Sequence, residues 1–564
     1  NYALSGRWDL TDASYSYNDV FTKPQSQSNR VVFESNIKNG KVQVEAFSYQ
    51  LASLNVNATA IYRIKDQYLS AFTVESNAFQ IEDLLSNLPR IRTYQPRGSM
   101  RLALTGSGIP KSIADLDLRG NISFSGVAFK PFSTLKAISA LNGAVSLGKN
   151  RLDTSLLTGR IGGSLIQGRV ILKDFTDPSV RVKVSSDLLD PEDVGLQSPS
   201  GAIKLRNFTG DIVFRDNGLL IKRLSAQMND SVFSVTGAMP NVKKPFFDIQ
   251  VTSTYLDMDD IVLLSKINVL KKEKSTSEEL FLKASVQSHK GKINSIPYSE
   301  LRTTFTYQQQ TMDISTFEMN AFNGGFSGKG RIVFAPGGVA QYKIGFILDK
   351  MSAEQIMKYA GSEKVSMTGT LTMKGDLTAE GANMSDLKKT MQGTATLVME
   401  KGSLNKFPVL SKVFSILNVS QLLKFQLPDM ITEGMPFTSV KGTFSLQDGI
   451  LSSNNLFIKS DAMNISIVGK TDIIREELDF TIGIQPLQTV DKIVSNIPVV
   501  GWILTNDTKS LITLYFQAQG KRSDPTVNAI SVSSMSKGVL DIFKKLFQLP
   551  EKLITDTGEV ILGQ

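Results

Sequence analysis

Side chains able to do chemistry are few in this chain, and their spacing suits none of the common reactions. His289 is the only histidine and there is no cysteine. That removes Cys/His metal sites, thiol nucleophiles and a Ser-His-Asp triad. His289 lies in Ser288-His-Lys-Gly291, which reads as a solvated polar turn. Two segments approach phosphate-binding loops. Asn323-Gly-Gly-Phe-Ser-Gly-Lys-Gly330 has Asn where a P-loop opens on Gly, and Gly where Ser or Thr must follow the Lys. A tight β-turn accounts for it better. Thr105-Gly-Ser-Gly-Ile-Pro-Lys111 lacks the third Gly and the following helix of a dinucleotide loop. Asp257, Asp259 and Asp260 gather three carboxylates, a set that calcium would accept. Equivalent positions elsewhere carry Ser, Gln or Pro, so helix capping is the better reading. No carboxylate pair stands out as the acid and base of a glycosidase. The expectation is a protein that is not an enzyme and uses no cofactor and no metal.

Those carboxylates belong to a module that recurs four times. Its copies are Phe72-Thr-Val-Glu-Ser-Asn-Ala-Phe-Gln-Ile-Glu-Asp-Leu-Leu85, Val182-Lys-Val-Ser-Ser-Asp-Leu-Leu-Asp-Pro-Glu-Asp-Val194, Ile249-Gln-Val-Thr-Ser-Thr-Tyr-Leu-Asp-Met-Asp-Asp-Ile-Val262 and Ile344-Gly-Phe-Ile-Leu-Asp-Lys-Met-Ser-Ala-Glu-Gln-Ile-Met357. Each begins with apolar residues at every second position, the period of a strand with one apolar face. Each then reaches Gln80, Asp190, Asp257 or Ser352, with Asp83, Asp193, Asp260 or Gln355 three residues on. That offset predicts a capping box and a short helix. Repetition of such a unit argues for a stacked, elongated body.

The remaining sequence is strand and turn. Gly brackets short alternating stretches, as in Gly98-Ser-Met-Arg-Leu-Ala-Leu-Thr-Gly106 and Gly369-Thr-Leu-Thr-Met-Lys-Gly375. Asn39-Gly40, Asn217-Gly218 and Asp448-Gly449 read as primed hairpin turns. Such a sheet must cover its apolar face with a second sheet, coil on itself, or curl into a trough that leaves the face for a ligand. Roughly 30 strands at about 4.8 Å would make a trough on the order of 140 Å long. Lys271-Lys-Glu-Lys-Ser-Thr-Ser-Glu-Glu279 reads as a solvated loop between repeats. The pattern changes in the last third. Helical spacing is found from Pro408 through Leu422-Leu423, across Leu487, Val490, Ile493, Val494 and Ile497, and over 535–549, ended by Pro550. The expected division is 1–392, a repetitive β-groove, and 393–564, a region with helical insertions and a terminal amphipathic helix.

Charge and length narrow the compartment. The net charge is +9, but the 62 Lys and Arg are scattered among 53 Asp and Glu. There is no basic stripe with interleaved aromatics, so nucleic acid is not an expected partner. No apolar run reaches the ~18 residues needed to span a bilayer. The chain opens on Asn1 without Met or a signal peptide, and an N-terminal segment is expected to have been removed.

Taken together, the chain resembles the AsmA-like family of bacterial envelope proteins. The resemblance rests on the strand-to-Leu-Asp-x-x-Asp module and on the hairpin Phe437-Thr-Ser-Val-Lys-Gly-Thr-Phe-Ser-Leu-Gln-Asp-Gly-Ile-Leu451. Most specific are Phe407-Pro408, Leu417-Asn418-Val419, Leu422-Leu423-Lys-Phe425, Ile497-Pro498-Val-Val-Gly501 and Asp524-Pro525, in a stretch similar to the family's C-terminal region. The resemblance implies a mostly β fold: an elongated, repetitive antiparallel sheet curled into a taco-like groove, with short capping helices and C-terminal amphipathic helices. It implies a periplasmic location in a Gram-negative bacterium, with an inner-membrane anchor in the full-length protein. The implied function is bridge-like transport of phospholipid between inner and outer membranes for outer-membrane biogenesis, with other envelope proteins as possible partners. The alternative is a non-transporting envelope scaffold or outer-membrane assembly factor with a closed β core. Under the transport reading, Val182, Val184, Ile249, Val251, Ile344, Phe346 and Leu348 line the lipid groove. Ile497, Trp502, Val539, Ile542, Phe543, Leu546 and Phe547 are the expected membrane contacts.

Overall fold

Two-residue alternation makes strands wherever it was expected to, and turn chemistry sets their register. The computed structural model describes residues 2–18, 20–111, 115–131, 135–197, 203–241, 246–265, 268–269, 281–335, 338–359, 367–405, 407–417, 434–487, 502–506 and 509–548. Two units divide it, Asn1–Ala284 and Ser285–Gln564. The compositional division at 392/393 falls inside the second unit, at the start of strand Gln392–Leu404.

In the first unit, neighbouring strands pair antiparallel in chain order from Tyr2–Asp9 to Phe246–Asp257. The second unit repeats this from Ile296–Gln308 to Thr526–Ile530. Strands account for 68% of the structure and helices for 13%, and the sheet does not close into a barrel. The mostly β, repetitive antiparallel architecture read from the sequence is therefore the observed one.

Hairpins at Asn39-Gly40 and Asp448-Gly449 close as predicted, with all four residues at positive φ. The third slides by one residue. Its turn is Asp216-Asn217, at φ 50° and 60°, with Arg215 paired to Gly218. Gly218 is instead needed for space, because a Cβ there would lie 2.7 Å from the Pro240 carbonyl oxygen. The P-loop lookalike is likewise a hairpin, with Phe322 and Asn323 at φ 51° and 61° before strand Gly324–Phe334.

Each module strand ends on a short helix, as expected: Ile81–Leu84, Pro191–Val194, Met258–Ser265 and Ala353–Tyr359. The capping box is corrected. Asp190 and Asp257 do cap, accepting from the amides of Glu192 and Asp259 at 3.0 Å, and Ser352 accepts weakly from Gln355. Gln80 makes no side-chain cap, and Asp193 and Asp260 turn away to the preceding hairpin. Asp193 accepts from the Ser164 hydroxyl (2.7 Å) and amide (2.9 Å), and Asp260 accepts from the Ser231 hydroxyl (2.5 Å). Ser164 and Ser231 accept in turn from the amides of Asp190 and Asp257, at 2.9 Å in both. A carboxylate buried this far must find strong donors, and the hairpin serine supplies more of them than the helix's own first turn. The clasp ties helices Pro191–Val194 and Met258–Ser265 to the hairpins before them.

In the C-terminal third, helices form at Pro408–Leu417 and Lys537–Gln548, the second starting two residues after Met535. The expected extension to Leu422-Leu423, the helical face from Val490 to Ile497, the charged segment Lys271–Glu279 and Pro550 lie outside the described residues. Among the described residues, no helix is long and apolar enough to cross a membrane.

Candidate functional site: a half-buried apolar lane

Register decides whether alternating apolar residues make a surface or only a pattern. In the first unit Val170, Val182, Ile212, Ile221, Gly237 and Ile249 are successive cross-strand partners over six strands. Beside them runs a second row, Gly168, Val184, Gly210, Leu224, Val235 and Val251. The second unit has the same construction in Phe317, Gly328, Phe346, Gly375, Ala395 and Phe444, and in Gly330, Ile344, Leu377, Gly393 and Leu446. Leu348 lies between Phe326 and Met373.

The sequence-predicted groove residues thus fall into rows within each unit. All seven are half-buried and none is fully exposed, and Val251 packs on the buried cluster of Ile203, Ala226, Met228 and Phe233. Full burial begins where each strand meets its helix, at Leu189, Leu256 and Met351, which are 4%, 0% and 3% exposed. Glycine shapes the lane between large side chains. Phe346 has Gly328 on one side and Gly375 on the other, and a Cβ at Gly375 would stand 2.6 Å from the Thr394 carbonyl oxygen. The Gly-bracketed stretches of the sequence are this spacing read along the strands.

Towards the end of the second unit the same face is covered. Met399, Val440, Ile458, Ile465 and Ile484 continue the cross-strand rows and are all at most 6% exposed. Helix Pro408–Leu417 packs on them through Leu410 and Val413, the latter 0% exposed. Lys412 pins the helix, donating to Asp524 Oδ1 at 2.5 Å and to the Pro525 carbonyl at 2.8 Å. The Lys412 ammonium holds the Asp524 carboxyl below its ordinary range. Helical spacing made this segment legible, but nothing local signalled that it would sit on the lane face.

On the opposite face, Phe543, Leu546 and Phe547 of the terminal helix pack on Phe457 and Tyr515, with Val539 and Ile542 partly buried beside them. The Phe543 and Tyr515 rings lie 5.3 Å apart, and Gly483 makes room, since a Cβ there would meet Phe543 at 2.9 Å. Burial pushes the Tyr515 hydroxyl pKa up. In this structure these side chains contact the protein's own sheet. An amphipathic helix seats on the nearest apolar surface, and the strand residues facing away from the lane provide one. Trp502 begins a strand paired to Thr513, and Ile497 lies outside the described residues.

The residues considered for chemistry are placed in structural roles. Exposed His289 contacts Glu300 at 2.5 Å, and Asp257 and Asp260 serve the cap and the clasp. Among the described residues no group of three or more Asp, Glu or His is placed to hold a metal ion. What the lane offers is a continuous apolar strip, partly shielded from water, in each unit.

Residues 239–527, or 289 of the 564, match the family model described as YhdP protein. No curated protein matches the chain.

Proposed function

The chain belongs to the YhdP family of AsmA-like bacterial envelope proteins, and from that premise we propose that it carries phospholipid along its apolar lane, as part of a bridge between inner and outer membranes in the periplasm. The observation that carries the reading is the half-burial of rows such as Val182–Ile212–Ile221 and Phe346–Ala395–Phe444. In a sandwich these positions would be as buried as Ile465, Ile482 and Ile484, which are 0% exposed. Acyl chains laid on the strip complete its burial at about 0.8 kcal/mol per CH2, while headgroups remain in water. Transport of this kind requires no catalytic step, cofactor or metal.

A photoreactive residue at Ile249 or Phe346 is expected to crosslink to phospholipid in cells. Crosslinks to protein alone overturn the reading. The alternative, a non-transporting scaffold or assembly factor, is favoured by one observation, the closed core under helix Pro408–Leu417. It predicts that neither position captures lipid.

A further inference from the structure

A cavity of about 690 Å³ lies in the first unit at the edge of the sheet opposite the module helices. Its lining comes from hairpin ends: Arg151, Lys173 and Ser179, Arg215 to Gly218, and Met239 to Pro240. The volume suits a small amphiphile. Two features set this edge apart. The first is charge. Arg151, Lys173, Arg181, Arg215 and Lys222 all line the cavity, with Asp216 the single carboxylate in its wall. The three arginines are clamped by acids: Arg151 by Asp153 (2.7 Å), Arg181 by Asp211 in a two-pronged pair, and Arg215 by Asp177 (3.1 Å) and Asp216 (3.3 Å). Lys173 and Lys222 make no ion pair or side-chain hydrogen bond with a described residue. Two mobile ammonium groups therefore stand among arginines whose positions are fixed.

The second feature is apolar continuity. Ile171, Val213 and Leu220 floor the cavity, and Leu220 is 44% exposed. Leu219 and Met239, which also line it, are cross-strand partners in the row that runs from Val180 through Phe214 on the lane face. Phe214, at 43% exposure, lies at the same edge. The cavity thus joins a cationic wall to an apolar floor on the face away from the lane, and reaches the lane margin only through Leu219 and Met239.

We infer that this cavity is a binding site for an anionic phosphate-bearing amphiphile, with the phosphate on Lys173 and Lys222 and the apolar part against Ile171, Val213 and Leu220. Lysine suits the role, because a flexible ammonium meets phosphate as a point charge without a fixed fork geometry. Neither half rests on the lane reading above.

The test is calorimetric titration of the purified chain at low salt with dihexanoyl phosphatidylglycerol below its micelle concentration. Dihexanoyl phosphatidylcholine and inorganic phosphate serve as comparison ligands. The Lys173→Gln/Lys222→Gln variant, altered only at two exposed side chains, is expected to bind the anionic lipid about tenfold more weakly. Added salt is expected to weaken binding to the parent chain. The zwitterionic lipid and inorganic phosphate are each expected to bind more weakly than the anionic lipid. Unchanged affinity in the double variant overturns the inference. Inorganic phosphate binding as tightly as the lipid overturns it too, by reducing the cavity to an anion site. Failure of the lane reading would appear as lost crosslinks with the titration intact, and failure of this inference as the reverse.

Discussion

Within the second unit, two stretches of sheet share one pattern and differ in what lies over them. Strands Gly324–Phe334, Ala340–Ser352 and Thr370–Gly381 keep their inward apolar residues half-buried. Strands Met435–Gln447, Ile450–Lys459, Met463–Asp472 and Glu477–Pro486 bury Val440, Ile458, Ile465, Ile482 and Ile484 almost completely, while Phe444, Leu446, Leu451 and Ile467 stay half-buried. Ile465 has lost all exposure to water and lies in the row that runs through Ile458, Val440, Met399 and Leu371 to Met351, whereas half-buried Ile344 lies in the row through Leu377, Gly393, Leu446 and Leu451. Helix Pro408–Leu417 adds Leu410 and Val413 to the cover over the first of these rows. An apolar face is thus a core or a lane according to what covers it, and the two should respond to mutation very differently.

The largest effect is expected at the cover. Val413→Asp buries an unpaired carboxylate at a position with no access to water, and should cost about 5 kcal/mol. Urea unfolding of the purified variant measures it, and a loss below ~1 kcal/mol would mean that the helix does not close this end. Next comes the opposite face, where Phe543→Ala empties a fully buried site against Tyr515 and should cost about 3–4 kcal/mol. Unchanged stability there would free the terminal helix for a surface role.

A smaller, pH-dependent effect is expected at the clasp. Burial alone would raise the Asp193 pKa, but hydrogen bonds from Lys136 and Ser164 outweigh it and hold the carboxyl below 3.8. A depressed carboxylate pKa stabilises the fold fully above about pH 4, and the contribution is lost as pH falls through the folded value. Asp193→Asn should therefore cost about 2 kcal/mol at neutral pH and remove that acid sensitivity. Chemical unfolding at pH 7 and pH 3 tests both parts. The smallest effect is expected in the open stretch. Phe346→Asp leaves its carboxylate wet and should cost about 1 kcal/mol, yet abolish lipid crosslinking from neighbouring lane positions. A collapse in melting temperature would show the open stretch to be a core like the covered one.

Much of this was legible before the fold. Two-residue alternation around Val182, Ile249 and Ile344 located strands and chose their apolar side, because side-chain direction in a strand follows from backbone geometry alone. Helical spacing located Pro408–Leu417 and most of the terminal helix for the same reason. The family resemblance was legible in short motifs, and the match over 239–527 bears it out.

Other features depended on contacts distant in sequence. The partner of Asp193 is Ser164, 29 residues away, and no local rule ranks that serine above the helix's own first turn. The need for glycine at 218 followed from Pro240, 22 residues away, whose carbonyl oxygen a Cβ would meet at 2.7 Å. The terminal helix had a face suited to either a membrane or a sheet, and proximity to Phe457 and Tyr515 chose the sheet. Sequence by itself determined which residues are apolar and which way they point along each element, since both are local properties. Only tertiary structure decided which of those faces meets another element, because burial depends on residues that come together only when the chain folds.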